Sequence, residues 1–287
     1  MAAPLLSRLS SLRAFGHPGY LPIWLGSLVS TIGSWMETVA LGVYVTEVTG
    51  QAEWTGGIAA LTFMPGLILS PLGGALADRF DRRAYLALGI AAQMVLAGIL
   101  TVLAFTHSLS VPVVAVSAFF NGCLSLLLGP GFMALLSELV PPEDLHSAMS
   151  LSSAQVNLGR IIGPLLTTVV LAAGGLEWAL LINTFSFLAA IIALLSLRQP
   201  LRAGTAAPQG LGKALWTDIA RGLAVAHDDA GIRLMLASAL AISVLVSPFI
   251  SLVPVFAIKV LGLGGSATSL LVTAQGAGAV AAAIGVG

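Results

Sequence analysis

Charged side chains are scarce in this sequence: aspartate, glutamate, lysine and arginine together make up 8% of its 287 residues. A typical soluble domain carries about 25%, so a soluble fold of this size would lack the charge needed to cover its surface. Hydrophobic residues make up 57%. Lipid is therefore the predicted surroundings, and because lipid offers no hydrogen bonds, the backbone must satisfy itself in helices or a closed barrel.

Cysteine is almost absent too. Cys123 is the single cysteine and lies in an apolar run, which excludes a disulfide framework and a thiolate metal site and favours a small packing residue. The net charge of +0 gives no case for nucleic-acid binding. The sequence contains no Walker loop, H-E-x-x-H or G-x-S-x-G motif, so neither an enzyme, a metal nor a cofactor is predicted.

Long apolar runs fill most of the chain, and a membrane-spanning helix needs about 20 such residues. The runs do not show the ten-residue alternation of barrel strands, which predicts an all-α membrane protein. The eight candidate spans are 21–46, 55–77, 84–105, 111–138, 147–173, 177–197, 231–258 and 266–287.

One link between spans is long, at 198–230, and it is rich in charge, proline and glycine. Within it, 211–229 carries apolar residues at helical spacing: Leu211, Leu215, Ile219 and Leu223. That spacing fits a helix lying on the membrane surface. A plain solvated linker helix explains the pattern equally well, so both alternatives stay open.

Positive charge is distributed unevenly between the links, and cytoplasmic loops of membrane proteins carry the excess of lysine and arginine. With the N-terminus in the cytoplasm, one basic residue, Lys259, falls outside, and Arg160 falls within a span. The other ten lie inside or at the inner edge: Arg8, Arg13, Arg79, Arg82, Arg83, Arg198, Arg202, Lys213, Arg221 and Arg233. The first 20 residues are accordingly interpreted as a cytoplasmic arm of a multi-pass protein of the cytoplasmic (inner) membrane. The arm is not a convincing signal peptide because Arg8 and Arg13 break its apolar runs.

The chain also repeats itself weakly. Residues 227–287 align with 17–74 at an offset of about 211, pairing His17 with His227 and Gly50 with Gly262. One repeat then holds six spans and a linker. Parallel repeats of six spans are the plan of one large transporter fold.

A few polar residues interrupt the spans, where a charge costs roughly 2.5–3.5 kcal/mol on insertion scales. Glu37 follows three serines on one face of the first span, and Asn157 and Arg160 share a face of the fifth. We predict that these three face a cavity or act in coupling. A Glu37–Arg160 pair across the cavity is one hypothesis, and a purely structural buried pair is the alternative. Asn121 adds to this set from the fourth span, and Gln93 and Gln275 are weaker candidates.

The link between spans two and three reads "GALADRFDRR" at 74–83 and resembles the loop signature of the major facilitator superfamily. The matching residues are Gly74, Asp78, Arg79, Asp81, Arg82 and Arg83. The flanking stretches "WLGSLVSTIGSWMETVAL" and "ELVPPEDLHSAMSLSSAQVNLGRIIGP" resemble the branch containing the enterobactin exporter and macrolide-efflux proteins. The resemblance implies a cytoplasmic gate that uses Asp78 and Arg79. For Arg82 and Arg83, membrane anchoring is the favoured interpretation.

The fifth span contains "GRIIGP", whose Gly159, Gly163 and Pro164 resemble the core of an antiporter signature that goes with exporters in this superfamily. The match is partial, because "LLTT" follows where a glycine pair is expected. Small residues four apart also let two helices cross closely.

The resemblance implies a secondary active transporter working by alternating access, most simply a proton-coupled antiporter that exports a small amphipathic compound such as a drug or a siderophore. An importer and a membrane-embedded scaffold are the alternatives. The predicted domains are the arm at 1–20, a six-helix bundle at 21–197, the linker at 198–230 and two helices of a second bundle at 231–287. A complete second bundle needs about four more spans, so the chain is expected to be a C-terminally truncated fragment.

Overall fold

The computed structural model describes residues 10–65, 69, 73, 76–77, 80–197, 227–241, 253, 255–262, 271, 273–274 and 278. All regular structure within these residues is helical, which confirms the all-α prediction. A 3-10 helix (Ser10–Gly16) precedes α1 (Tyr20–Thr49), α2 (Ala52–Phe63), α3 (Arg82–Phe105), α4 (Val111–Leu139), a 3-10 turn (Pro142–Asp144), α5 (Leu145–Ala173), α6 (Leu176–Leu195), α7 (Ala230–Ala241) and a π-helical segment (Phe256–Val260).

Five of the described helices are long and apolar enough to cross a membrane, namely α1, α3, α4, α5 together with its preceding turn, and α6. They match the first, third, fourth, fifth and sixth predicted spans to within a few residues. Much of spans two, seven and eight lies outside the described residues, as does the predicted surface helix of the linker except for its last positions.

Among the helices α1 to α6, five form a closed ring. α1 packs most extensively against α6; α6 continues to α3, α3 to α4, and α4 to α2, which returns to α1, and α5 packs mainly against α1. The largest buried apolar cluster closes the end of the ring that holds the start of α1 and the end of α4, and it includes Tyr20, Ile23, Leu135, Leu139, Leu151 and Leu194.

Residues on the outside of the ring are apolar. Along α3, Leu88, Val95 and Val102 are 71%, 62% and 62% exposed. They are seven positions apart, which is two helical turns, so they form one apolar stripe. A soluble monomer rarely exposes such a stripe, and its presence agrees with lipid contact.

The turns between helices depend on glycines with positive φ. Gly50 ends α1 with φ 62°, and its N–H donates to the Thr46 carbonyl at 3.0 Å. Gly262 follows the π-helical segment with φ 65°. Only glycine adopts this conformation without strain, so the two glycines paired by the sequence repeat share the same unusual backbone geometry.

Candidate functional site: a polar-lined cavity inside the helix ring

The ring encloses a cavity of about 600 Å³, within the range typical of small-molecule sites. α1, α2 and α4 form most of its wall, and α3, α5 and α6 each contribute one residue, Gln93, Arg160 and Phe187. The cavity extends from the middle of α1 towards the end of the ring that holds the α1–α2 turn, because Val45 and Thr55 line it there. The apolar cluster lies at the opposite end, so the cavity is closed on the side where α1 begins.

Glu37 lines the cavity from α1 and is only 7% exposed. Its carboxylate accepts a hydrogen bond from the Nδ2 of Asn183 on α6, which is 1% exposed. Ser186 donates to the Asn183 backbone carbonyl at 2.7 Å, and its Oγ also lies 3.2 Å from the Asn183 Oδ1. The buried carboxylate is therefore held at the contact between α1 and α6 by Asn183.

Arg160 lines the same cavity from the middle of α5. Its guanidinium carbon lies 5.7 Å from the centre of the Trp35 ring, a cation–π distance. Its Nε is buried and has no hydrogen-bond partner. The predicted Glu37–Arg160 pair is not formed between these two described residues, because Glu37 turns towards α6 whereas Arg160 lies against Trp35, two positions and about 200° away around α1.

Asn121, a predicted cavity residue, does line the cavity, and it is joined there by Gln93. The Gln93 Nε2 donates to the Asn121 Oδ1 at 2.9 Å and to the Ser125 Oγ at 3.1 Å. Gln93 was one of the weaker candidates in the sequence. The structure instead brings an amide pair from α3 and α4 to the wall.

Asn157 was predicted to share the cavity with Arg160, but it is not among the lining residues. Its Nδ2 donates to the Ser153 carbonyl one turn earlier in α5, at 2.9 Å. Intrahelical bonding of this kind satisfies a short polar side chain within its own helix. It accounts for Asn157 without a cavity contact.

Asn183 is the polar partner that the sequence analysis missed. The available signal was an amide flanked by apolar residues in the sixth span, where burying it without a partner would be costly. The sequence analysis did not single out Asn183, and its pairing with Glu37 across 146 positions is visible only in the folded protein.

The glycines of the GRIIGP motif mark the place where α5 crosses α1. A Cβ added at Gly163 would lie 2.6 Å from the Trp35 Cβ and 2.9 Å from the Ile32 carbonyl oxygen. A Cβ at Gly159 would lie 2.5 Å from the Thr31 Cγ2. Both residues are therefore required by close helix packing, and this crossing also sets Arg160 against the cavity wall.

Of the predicted gate residues, Gly74, Asp78 and Arg79 lie outside the described residues. Arg82 is 7% exposed and forms an ion pair with Glu138 near the end of α4. The preceding Asp81 caps α3 by accepting a hydrogen bond from the Ala84 N–H at 2.8 Å. Arg82 thus lies in a buried contact between two helices, whereas anchoring at the membrane face was the favoured interpretation; Arg83 is partly buried.

We expect the Arg82–Glu138 pair to stabilise the closed end of the ring. Arg82→Gln and Glu138→Gln should each lower stability because each removes one charge of a part-buried ion pair. The double variant should lose less than the sum of the two, by about 1 kcal/mol. Thermal unfolding of the four proteins in one detergent measures this coupling, and strictly additive losses would show that the pair contributes nothing.

The N-terminal arm packs onto the ring at this same end. Ala14 is fully buried, and its N–H donates to the Ser147 Oγ at 3.1 Å. The Tyr20 hydroxyl donates to the Ala148 carbonyl, and the Trp24 Nε1 to the Leu151 carbonyl, both at 2.8 Å. The start of α1 is therefore fastened to the start of α5, a contact the sequence analysis did not foresee.

Together, the apolar outer surface of the ring and the cavity inside it, with its few polar groups, define a multi-pass membrane protein with an internal binding space. This is the general form of a solute transporter. Comparison with known proteins gives the family: residues 9–287 match the model described as transmembrane secretion effector, a branch of the major facilitator superfamily. The chain belongs to this family, which confirms the resemblance found in the sequence.

Individual relatives agree. The chain is 27% identical over 220 residues to macrolide efflux protein A of Streptococcus pyogenes, covering 76% of the chain and 53% of that protein. It is 27% identical over 172 residues to the staphyloferrin A transporter of Staphylococcus aureus, covering 60% and 43%. It is 26% identical over 162 residues to the enterobactin exporter EntS of Salmonella typhi, covering 56% and 39%. The chain spans about half the length of the curated relatives it matches, or less.

Proposed function

We propose that the protein is a secondary active exporter of small amphipathic compounds, driven by protons and working by alternating access. The observation that carries the proposal is the 600 Å³ cavity with the buried carboxylate of Glu37 on its wall. An ionisable residue inside the membrane is costly to bury, so its presence there indicates a functional site. Export is supported by relatives named for efflux of macrolides and export of enterobactin.

We also propose that the protein lies in the inner (cytoplasmic) membrane with its N-terminus in the cytoplasm. The distribution of basic residues supports this orientation. The cavity then extends towards the outer face, and the apolar cluster and the Arg82–Glu138 pair close the inner face. In this arrangement the Arg82–Glu138 pair belongs to a gate at the inner end, to which we also assign Asp78 and Arg79 from their place in the superfamily motif.

Accumulation of radiolabelled erythromycin in cells producing the full-length protein tests the proposal. We expect accumulation below that of empty cells, and we expect a protonophore to abolish the difference. Higher accumulation than in empty cells would identify an importer. If producing cells and empty cells accumulate the same amount of erythromycin, and the same amount of each dye described below, a transport function is overturned and the scaffold alternative is favoured.

A further inference from the structure

The cavity contains a cation whose hydrogen-bonding capacity is unused. Arg160 lies about 22 Å along the axis from the start of α5, near the middle of the helix. Its described contact is the face of Trp35, and its Nε is buried without a hydrogen-bond partner. A guanidinium has five N–H donors, and the described residues provide it with neither a hydrogen bond nor an ion pair.

The natural counter-ion within the protein is already engaged elsewhere. Glu37 is the one acidic residue among the described residues that line the cavity, and its carboxylate is held by Asn183 at the α1–α6 contact. Arg160 is partly buried and faces the cavity as an unpaired cation among the described residues, so an acidic group from outside the protein that neutralises it would bind there favourably. Arginine recognises carboxylates with two parallel hydrogen bonds.

The other lining residues indicate the remaining chemical groups and the size of the ligand. Apolar side chains from four helices line the cavity beside Arg160, including Trp35, Val39, Ile58, Val114 and Phe187. A volume of about 600 Å³ far exceeds that of an inorganic ion, whose share of space is comparable to the ~30 Å³ of one water molecule. The cavity therefore fits an organic molecule with an extended apolar body and one acidic group.

From these contacts we propose that Arg160 is the anion-binding residue of the cavity and that the substrates include amphipathic organic anions. This inference deepens the proposed transport function and rests on it, because a bound anion is a substrate only if the protein transports it. The apolar body packs against Trp35 and Phe187, and the carboxylate pairs with the guanidinium on the side that the Trp35 ring leaves open. Arg160 then acts in binding, and Glu37 remains available for the proton.

Two dyes that differ in one group test the proposal: dansylglycine, a carboxylate, and dansylglycinamide, its neutral amide. We expect the purified full-length protein in lipid nanodiscs to bind dansylglycine at least about tenfold more tightly, as judged by dansyl anisotropy, which corresponds to one ion pair of about 1.4 kcal/mol. Arg160→Gln should remove the preference and leave amide binding in place. Arg160→Lys should keep part of it, because the charge remains but the bidentate geometry is lost.

The control is Arg13→Gln, which removes one arginine charge from an exposed position in the N-terminal 3-10 helix and should keep the full preference. Equal binding of the two dyes, tighter binding of the amide, or an unchanged preference in Arg160→Gln would each overturn the inference. Binding is measured without a gradient, so anion binding without efflux would contradict only the transport function. Efflux of erythromycin without an Arg160-dependent anion preference would contradict only this inference.

Discussion

Replacing Glu37 by glutamine is expected to abolish proton-driven efflux while leaving the protein folded. Glutamine has the same shape and keeps an oxygen to accept the hydrogen bond from Asn183, but it cannot release or take up a proton. Removal of a positioned proton-transfer group typically costs about 10²–10⁴-fold in rate. We therefore expect efflux of erythromycin or of dansylglycine from energised cells to fall at least about 100-fold and to lose its dependence on external pH.

Glu47 provides the matched control, since it lies on the same helix and is exposed. Glu47→Gln should keep both the efflux rate and its pH dependence. If Glu37→Gln transports at the normal rate with an unchanged pH profile, Glu37 has no coupling role and the α1–α6 contact is purely structural. Binding of dansylglycine to the purified variant shows whether the cavity itself is intact.

Replacing Gly163 by alanine is expected to destabilise the crossing of α1 and α5. The new Cβ would lie 2.6 Å from the Trp35 Cβ and 2.9 Å from a backbone oxygen, and neither atom can move away without shifting a helix. Overpacking of this kind costs about 1–3 kcal/mol. The midpoint of thermal unfolding in detergent should fall, and binding of dansylglycine should weaken with it, because the separation of α5 from α1 displaces Arg160.

Gly57 in α2 offers the control for this substitution, because it is exposed and an added Cβ there meets no atom of another helix within 4 Å. Gly57→Ala should be neutral or stabilising by up to about 1 kcal/mol, since alanine favours a helix more than glycine does. Equal effects of the two substitutions would mean that the GRIIGP glycines are not needed for packing.

The transmembrane architecture could be predicted from the sequence because it follows from local composition. Apolar runs of about 20 residues can only be satisfied as helices in lipid, and α1, α3, α4, α5 and α6 end close to the predicted positions. The family could also be predicted, because its charged loop motif is contiguous. An apolar run and a contiguous motif can each be recognised from a short segment of the chain, without knowledge of how distant segments pack.

The partners inside the cavity could not be predicted in the same way, because they depend on how each helix is rotated. The sequence suggested a Glu37–Arg160 pair, but the structure turns one towards Asn183 and the other towards Trp35. Gln93 was a weaker candidate and Asn183 was not predicted, yet Gln93 lines the cavity and Asn183 contacts Glu37 on its wall. Rotation of a helix is set by packing against its neighbours, and in an almost uniformly apolar helix little in the local sequence reports it.

The unequal lengths of the helices determine how the ring meets a bilayer of given thickness. At 1.5 Å per residue, the 30 residues of α1 span about 45 Å, whereas the 20 residues of α6 span about 30 Å, the depth of a typical hydrocarbon layer. α6 therefore has no excess length with which to tilt, whereas α1 reaches into the headgroups. A thicker bilayer would have to thin around α6 first, and because α6 holds Asn183 against Glu37, acyl-chain length would act on the contact that holds the buried carboxylate.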